Sequence, residues 1–415
     1  MSLGPDRSHA VVVGDRTVLA SLSVAGPDPT ALLARAAASC PGRPLSVVVD
    51  VSRLLLTHIL HRTAGLSPVA MIRIVPRPAS EPALARHPAD VIERLITRRH
   101  TIPGGHDLFG QELRPIDPAA VRSVCAEIAR DGVSCVSIVA SGSSAQPRQE
   151  RVVADAVQAV LPDAHISLAA EFGSQGLLAR EATVVLNAAL YAVTEEILAG
   201  CGRAMHRALP GVPWHVGRGD GGWASPSRIG RLPVIGVGAA DALQLLGAAR
   251  LAGSDDCRVL LDRPSGPVVG DVRHGLVVVR PQETTGLGTV LVVPTATLTP
   301  SPTPAPAPAW RTSDVALVRA DLTCDELTCV GAAVSRPTAW LDEIAFIEST
   351  SELDRVRQDA AARATAIATA NGAAPGSADI VEVSTVALPY SPSGTVRVRV
   401  RVAGKLDEPV PVESR

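Results

Sequence analysis

The stretch Pro103-Gly104-Gly105-His106-Asp107-Leu108-Phe109-Gly110 is the part of this chain best suited to hold a reacting group. Two adjacent glycines reach backbone conformations closed to other residues, so the turn can bring an imidazole and a carboxylate together in a buried setting. A histidine there can exchange a proton near neutral pH, and the aspartate can orient it or a water molecule. The same residues equally suit a glycine turn leading into a helix, with His106 a satisfied core residue. Ser141-Gly142-Ser143-Ser144 is a second candidate, because it follows an apolar run where an α/β fold places a nucleophile or an anion site. Gly-x-Ser-x-Gly and His-Glu-x-x-His are both absent, so neither a lipase-type nucleophile nor a zincin metal site is indicated.

The elements that must position these loops follow from hydrophobic pattern and breakers. Two short strands, Ala10 to Val13 and Thr17 to Val24, flank a Gly14-Asp15 turn. A helix is expected from Pro29 to Ser39, then an apolar strand from Leu45 to Val51, a helix from Leu54 to Arg62 and a strand from Val69 to Val75. Beyond the glycine loop the pattern predicts a helix from Pro118 through Ala129, a strand Val133 to Ala140, a helix Gln149 to Leu161 and a strand His165 to Ala169. Apolar runs of that kind, separated by helices, suit a parallel sheet covered on both faces. Further on we expect a helix Ala192 to Leu209, a strand Leu232 to Val237, a helix Ala240 to Ala252, and strands Arg258 to Leu261 and Gly275 to Arg280. Pro294 to Pro308 reads as an extended linker, since proline removes backbone donors. The end of the chain reads as a helix Ser351 to Ala370 stopped by Asn371-Gly372, then strands Ile380 to Leu388 and Thr395 to Val402, the second alternating valine with arginine. These elements divide the chain into an α/β domain at 1–190, a second α/β unit at 191–293, the linker at 294–310 and a C-terminal segment at 311–415.

With 415 residues, 46% hydrophobic and 19% charged, the chain has enough apolar material for more than one core. A net charge of -2 without charged blocks argues against nucleic acid or an anionic membrane as partner, and 2% aromatics leaves no stacking platform for bases. Seven scattered cysteines form no disulfide or zinc pattern, so reduced thiols and a cytoplasmic location are expected. No signal peptide and no uninterrupted apolar run of spanning length is found.

From the glycine-glycine-histidine loop, through Gly176-Leu177-Leu178-Ala179-Arg180-Glu181, to Leu186-Asn187-Ala188-Ala189-Leu190, the chain resembles the N-terminal region of the hydantoinase A/oxoprolinase family. The resemblance implies an actin-like and sugar-kinase-like (ribonuclease H-like) architecture of two α/β lobes, here with a truncated second lobe. It implies action on cyclic amides such as hydantoins or oxoproline, or carboxylation of ketones, generally with ATP and with a B-type subunit. Matching residues are Thr57 and His58, Gly104, Gly105, His106 and Asp107, Arg180, Glu181 and Asn187, with Asp220 in a partial Asn-Asp-Gly echo. The functional reading puts His58 and His106 near a polarised carbonyl, with Asp107 or Glu181 orienting a histidine or water. The alternative makes Arg180-Glu181 a buried ion pair and Asn187 a cap that hold the domain shape. Pro389-Tyr390 before the last strand resembles the close of short family members.

ATP in that superfamily is held by Asp-x-Gly-Gly-Thr loops, whose glycines let N–H groups approach phosphate. Here Gly4-Pro5-Asp6-Arg7-Ser8-His9 stands at the first loop, and Asp262-Arg263-Pro264-Ser265-Gly266-Pro267 at the second, where the Asp262 carboxylate alone survives. The adenosine-type segment reads Thr284-Thr285-Gly286-Leu287-Gly288-Thr289. ATP and magnesium in the usual mode are therefore not expected. Two readings remain. One is a divergent hydantoinase A-type hydrolase of cyclic amide C–N bonds, independent of ATP and working with a B-type partner or as a homo-oligomer. The other is a non-catalytic scaffold for such a partner.

Overall fold

The computed structural model describes residues 1–14, 17–61, 65–79, 85–280, 283–285, 288–301, 316–389 and 391–406. The expectations placed on Asp15, on Gly286-Leu287, on most of the proline segment and on Tyr390 lie outside the described residues.

An antiparallel hairpin of β1 (Arg7–Gly14) and β2 (Thr17–Ala25) opens the chain. Helix α1 (Pro29–Ala38) follows, started by the Asp28 carboxylate accepting from the N–H groups of Thr30 and Ala31. Then come β3 (Val47–Val49) and α2 (Ser52–His61). The centre of the N-terminal half is a parallel sheet in the order β5-β4-β6-β7, built from β4 (Val69–Val75), β5 (Ile96–Pro103), β6 (Cys135–Ala140) and β7 (His165–Leu168). Its connections run through α3 (Asp90–Leu95), α4 (Pro118–Asp131) and α5 (Arg148–Val160). Strand β6 is buried along its whole length, which is why Cys-Val-Ser-Ile-Val-Ala shows little alternation. Asp117 caps α4 at one end, and Gly132, in the left-handed conformation, ends it. Helix α6 (Leu177–Ala189), buried from Arg180 onward, packs across β6 and leads into α7 (Tyr191–Ala208).

Strands β8 (Trp214–Gly217) and β9 (Trp223–Ala224) join β3 in a small sheet, followed by α8 (Pro226–Arg231) and α9 (Ala239–Leu251). Strand β10 (Cys257–Leu261) turns back into β11 (Val268–Arg273), and β12 (Leu276–Val277) continues that sheet. Short pairings follow between β13 (Val279–Arg280) and β16 (Thr295–Ala296), and between β14 (Glu283–Thr285) and β15 (Thr289–Leu291). The edge strand β17 (Leu298–Pro300) lies on β11, and β18 (Ala316–Arg319) runs parallel to β10. After α10 (Cys324–Val334) the chain closes with β19 (Thr338–Phe346), α11 (Thr350–Ala370), β20 (Asp379–Ala387) and β21 (Thr395–Ala403), forming a sheet of order β19-β21-β20. The valines of β21 pack on Ala360, Ala364 and Ala368 of α11, so its arginines face the rest of the molecule.

Several expectations need correcting. Leu232 to Val237 is no strand: Pro233–Gly236 forms a 3-10 turn, apolar because it is buried. Together with α9 it gives a 19-residue apolar stretch, Pro233–Leu251, 78% of which is buried inside the fold, the mark of a core helix. Gly275 to Arg280 breaks into two short strands, and the preceding Val268–Arg273 is a strand. The linker expectation reaches back to Pro294, yet residues 295–300 pair as β16 and β17. Pro300 is accommodated because it ends an edge strand, where its missing N–H costs no ladder bond. The glycine loop does not lead directly into a helix, since α4 begins only at Pro118.

Candidate functional site

The carboxyl ends of β4, β5 and β6 meet at the glycine loop, the position where open α/β sheets bind ligands. Gly104 sits against Ile74 and Gln149, and the Gly105 N–H donates to Gln149 Oε1 at 2.5 Å. His106 N–H donates to the Ser141 carbonyl at 2.9 Å. Gly142, at φ +70°, lies so close that a Cβ would fall 2.3 Å from the His106 carbonyl oxygen, so only glycine fits. His106 is 4% exposed, and its Nδ1 is buried without a partner among the described residues. Burial holds its pKa below the ordinary value, outweighing the opposite pull of Glu112 and Asp107, so the ring is neutral at neutral pH. The Asp107 carboxylate accepts from the N–H groups of Phe109 and Gln111 and thereby fixes the turn.

Below this loop lies a buried polar network. Glu150, fully buried on α5, accepts from the N–H groups of Ala140 and Ala170, both at 2.8 Å. Burial pushes its carboxyl up, while Arg180 and Ser143 oppose the shift. Arg180 Nη1 donates to Ser143 Oγ and Ser144 Oγ at 2.7 Å each, and Nη2 donates to the Ala140 carbonyl. Ser144 Oγ then donates to the Ser174 carbonyl. Ser174, a non-glycine residue at φ +65°, donates its N–H to the Asp342 carbonyl at 3.0 Å, and its hydroxyl accepts from Arg397 at 2.6 Å. Arg397 Nε also bonds Asp342 Oδ1 at 2.6 Å. This chain of contacts ties the parallel sheet to the C-terminal sheet.

Between the two sheets is a cavity of about 520 Å³. One wall is Ser143, Ser144 and Arg151 at the carboxyl end of β6 and the start of α5; the opposite wall is β19 from Trp340 to Ala345, with Asp359 and Arg363 of α11. Phe109 of the glycine loop meets Phe346 at the end of β19, ring centroids 6.1 Å apart. Pockets of this size with convergent polar groups hold small molecules.

The structure does not gather all the residues singled out by sequence. His58 lies beside Gly65 and Val193, near the amino end of β4, whereas His106 is at its carboxyl end. At about 3.3 Å per residue along Val69–Val75 the two are separated by roughly 20 Å. Thr57 donates to the Arg53 carbonyl one helical turn back. Arg180 and Glu181 are not an ion pair, because consecutive helix residues point in different directions. Glu181, fully buried, is paired instead with Arg73 at 2.7 Å and Arg99 at 3.3 Å. Asn187 lies inside α6, not at its end, donating to Ser167 Oγ and the Arg231 carbonyl and accepting from the Val234 N–H, so it caps the neighbouring 3-10 turn. Asp220 is buried far from His106, bound to Thr338 and Arg218. Ser174, Asp342 and Arg397 belong to no sequence motif. The single available signal was the valine-arginine alternation of β21, which shows a face but not what it meets.

Residues 79–161, which contain the glycine loop, match the family model described as the hydantoinase/oxoprolinase N-terminal region. The fold is similar to that of an ATP-dependent caprolactamase from Pseudomonas jessenii, with TM-score 0.68 and 13% identity over 99% of this chain and 89% of that one. It is also similar to an acetone carboxylase in a nucleotide-free structure from work on ATP-dependent acetone carboxylation, with TM-score 0.62 and 10% identity over 94% of this chain and 85% of that one. Residues 79–161 thus carry the hydantoinase/oxoprolinase N-terminal region, on a fold shared with those two enzymes. No curated protein matches it by sequence.

The two segments compared with phosphate loops converge on the start of α10. Arg53 lies against Gly4 and pairs with Asp325, which also meets His9 Nε2 at 3.2 Å. Residues 262–267 form the turn between β10 and β11. There Arg263 donates to Asp241 at 2.7 Å and to Gln244 at 3.1 Å, while Asp262 accepts from Arg319 at 2.8 Å. Burial raises the thiol pKa of Cys324, which feels the charges of Arg263, Asp325, Asp241 and Arg53 together. Arg53, Arg263 and Arg319 are each matched by a carboxylate of the same chain.

Proposed function

We propose that this chain is an amide-processing subunit of the hydantoinase A type that takes a small cyclic amide into the cavity between the parallel sheet and β19, without ATP. The observation that carries the reading is the placing of that cavity at the carboxyl ends of β6 and β7, within reach of the matched glycine loop. Independence from ATP is supported by the ion pairs at both loop segments, Arg53 with Asp325 beside Gly4 and Arg263 with Asp241. Prolines 264 and 267 also remove two N–H donors that a phosphate would need. The residues present do not fit a triphosphate, and no step is routed through one. The two-lobed actin-like plan, with a second lobe reduced to the sheets around β10 and β21, belongs to the same reading.

His106 is neutral and is the group able to accept a proton near the glycine loop, with Asp107 holding the turn. Arg180, Ser143 and Ser144 stabilise the wall against which a carbonyl rests. The companion that completes such a site is a B-type subunit, in a cytoplasmic complex. One observation favours the scaffold reading instead: His106 is 4% exposed and is not among the residues that line the cavity. Co-purification with a B-type subunit, followed by turnover of hydantoin, oxoproline and small lactams with and without magnesium ATP, decides between them. Turnover without ATP that vanishes in His106→Ala is the expected result. Turnover unchanged in His106→Ala removes His106 from the reaction, tight magnesium ATP binding by calorimetry ends the claim of independence, and partner binding with no turnover establishes the scaffold.

A further inference from the structure

One edge of β19 borders the cavity, and its main chain is only partly used. Toward β21, the Pro337 carbonyl accepts from Gly404 and the Ile347 N–H donates to Gly394, so odd-numbered residues of this strand face their sheet partner. Away from β21, the Arg336 carbonyl accepts from Trp223, the Asp342 carbonyl accepts from Ser174, and the Ile344 N–H donates to Ser144. Even-numbered residues therefore face outward. Trp340 lies among them on the cavity wall, and its outward N–H and C=O have no partner among the described residues. The next two outward positions are each half occupied, by Ser174 and by Ser144, so among the described residues Trp340 offers the complete N–H and C=O pair on this wall.

An extended residue presents N–H and C=O side by side, and in an antiparallel ladder the opposing residue answers with both at once. A single acyclic secondary amide cannot do this, because it is trans and its N–H and C=O point to opposite sides. A small-ring amide is held cis, so both groups point the same way. From this match we infer that the Trp340 main chain is the recognition element for the substrate, binding a ring amide through paired hydrogen bonds along the free edge of β19. The inference rests on the cavity reading of the previous section and adds the substrate's defining feature: an unsubstituted N–H held cis to its carbonyl. A longer strand cannot dock there, because Ser174 and Ser144 already occupy the neighbouring edge positions.

The test is direct binding to the full chain by ligand-observed NMR, using δ-valerolactam, N-methyl-δ-valerolactam and trans N-methylacetamide. The lactam should bind roughly tenfold more tightly than either analogue, the worth of about one buried hydrogen bond. Trp340→Ala keeps the main-chain pair and should keep this preference. Trp340→Pro removes the N–H, which points away from β21 and leaves the ladder intact, and should abolish the preference. If Trp340→Pro fails to fold, the comparison of the three ligands on the native chain still decides. Equal binding of lactam and N-methyl lactam overturns the inference, as does a preference that survives in folded Trp340→Pro or one that disappears in Trp340→Ala. Turnover is not read, so the failures separate: preference without turnover counts against the proposed reaction alone, and turnover without preference counts against Trp340 alone.

Discussion

Replacing Arg180 with methionine tests the network under the cavity wall. Arg180 is 3% exposed and Glu150 is fully buried. Three guanidinium hydrogen bonds would be lost, to Ser143, Ser144 and the Ala140 carbonyl. Glu150 would keep the Ala140 and Ala170 N–H groups but lose the cation that opposes its burial. Breaking a buried charge pair costs roughly 3–5 kcal/mol. Because Ser143 stands between the two groups, we take the lower end, about 3 kcal/mol, or roughly 6–12 °C in Tm at the rate for a mid-sized domain. The pH dependence has a definite sign. The folded pKa of Glu150 lies above its ordinary value of 4.5, so its stabilising contribution is complete below 4.5 and is lost as pH rises through the folded value. Arg180→Met raises that folded value further, so the deficit should be smallest in acid and grow toward neutrality. Scanning calorimetry across pH on the native chain, Arg180→Met and Arg180→Met/Glu150→Gln measures this, and the double variant should lose the growth with pH. A deficit below about 1 kcal/mol at neutral pH, or one that does not vary with pH, would refute the reasoning.

Ser174 holds a left-handed backbone and accepts from Arg397, so the two effects can be separated. Ser174→Ala loses the hydrogen bond and keeps the strain, and should melt below Ser174→Gly by about 1 kcal/mol; equal melting points would show that the backbone at 174 is unstrained. His215 stacks on Trp223 at 3.7 Å, and burial lowers its pKa from 6.5 to about 4. Its neutral form stabilises the fold above 6.5, and that contribution is lost as pH falls through about 4. His215→Phe keeps the stack and, since neither ring nitrogen has a partner among the described residues, should leave Tm at neutral pH unchanged or raised. Its acid limb should be shallower by one proton. An unchanged limb in calorimetry would mean that His215 is not the titrating group.

What could be read from the sequence follows from what sequence pattern encodes. The parallel sheet was legible because strands covered on both faces are nearly continuous apolar runs, and the glycine turn because its conformation, φ +110° at Gly105, is one that side chains rarely adopt. Leu232 to Val237 misled because a short buried apolar run has the same composition whether it is a strand or a turn. Partners distant in sequence were invisible: Ser174 meets Arg397 across 223 positions and Glu181 meets Arg73 across 108, so nothing local marks either pair.

The β21 strand shows where legibility stops. Its alternation of valine and arginine announces one dry face and one charged face, and α11 covers the valines as expected. The same pattern suits arginines exposed to water, to a partner or to the protein's own carboxylates. The structure turns them inward: Arg397 is committed to the Asp342 carboxylate and Ser174, and Arg401 to the main-chain carbonyls of Asp220 and Val277. That choice keeps the arginines of β21 off the cavity wall and leaves β19, their neighbour in the sheet, to present main-chain groups there. A site read only from side-chain chemistry would therefore be sought at His106 and the arginines, although the wall with unspent hydrogen-bonding capacity is the backbone at Trp340.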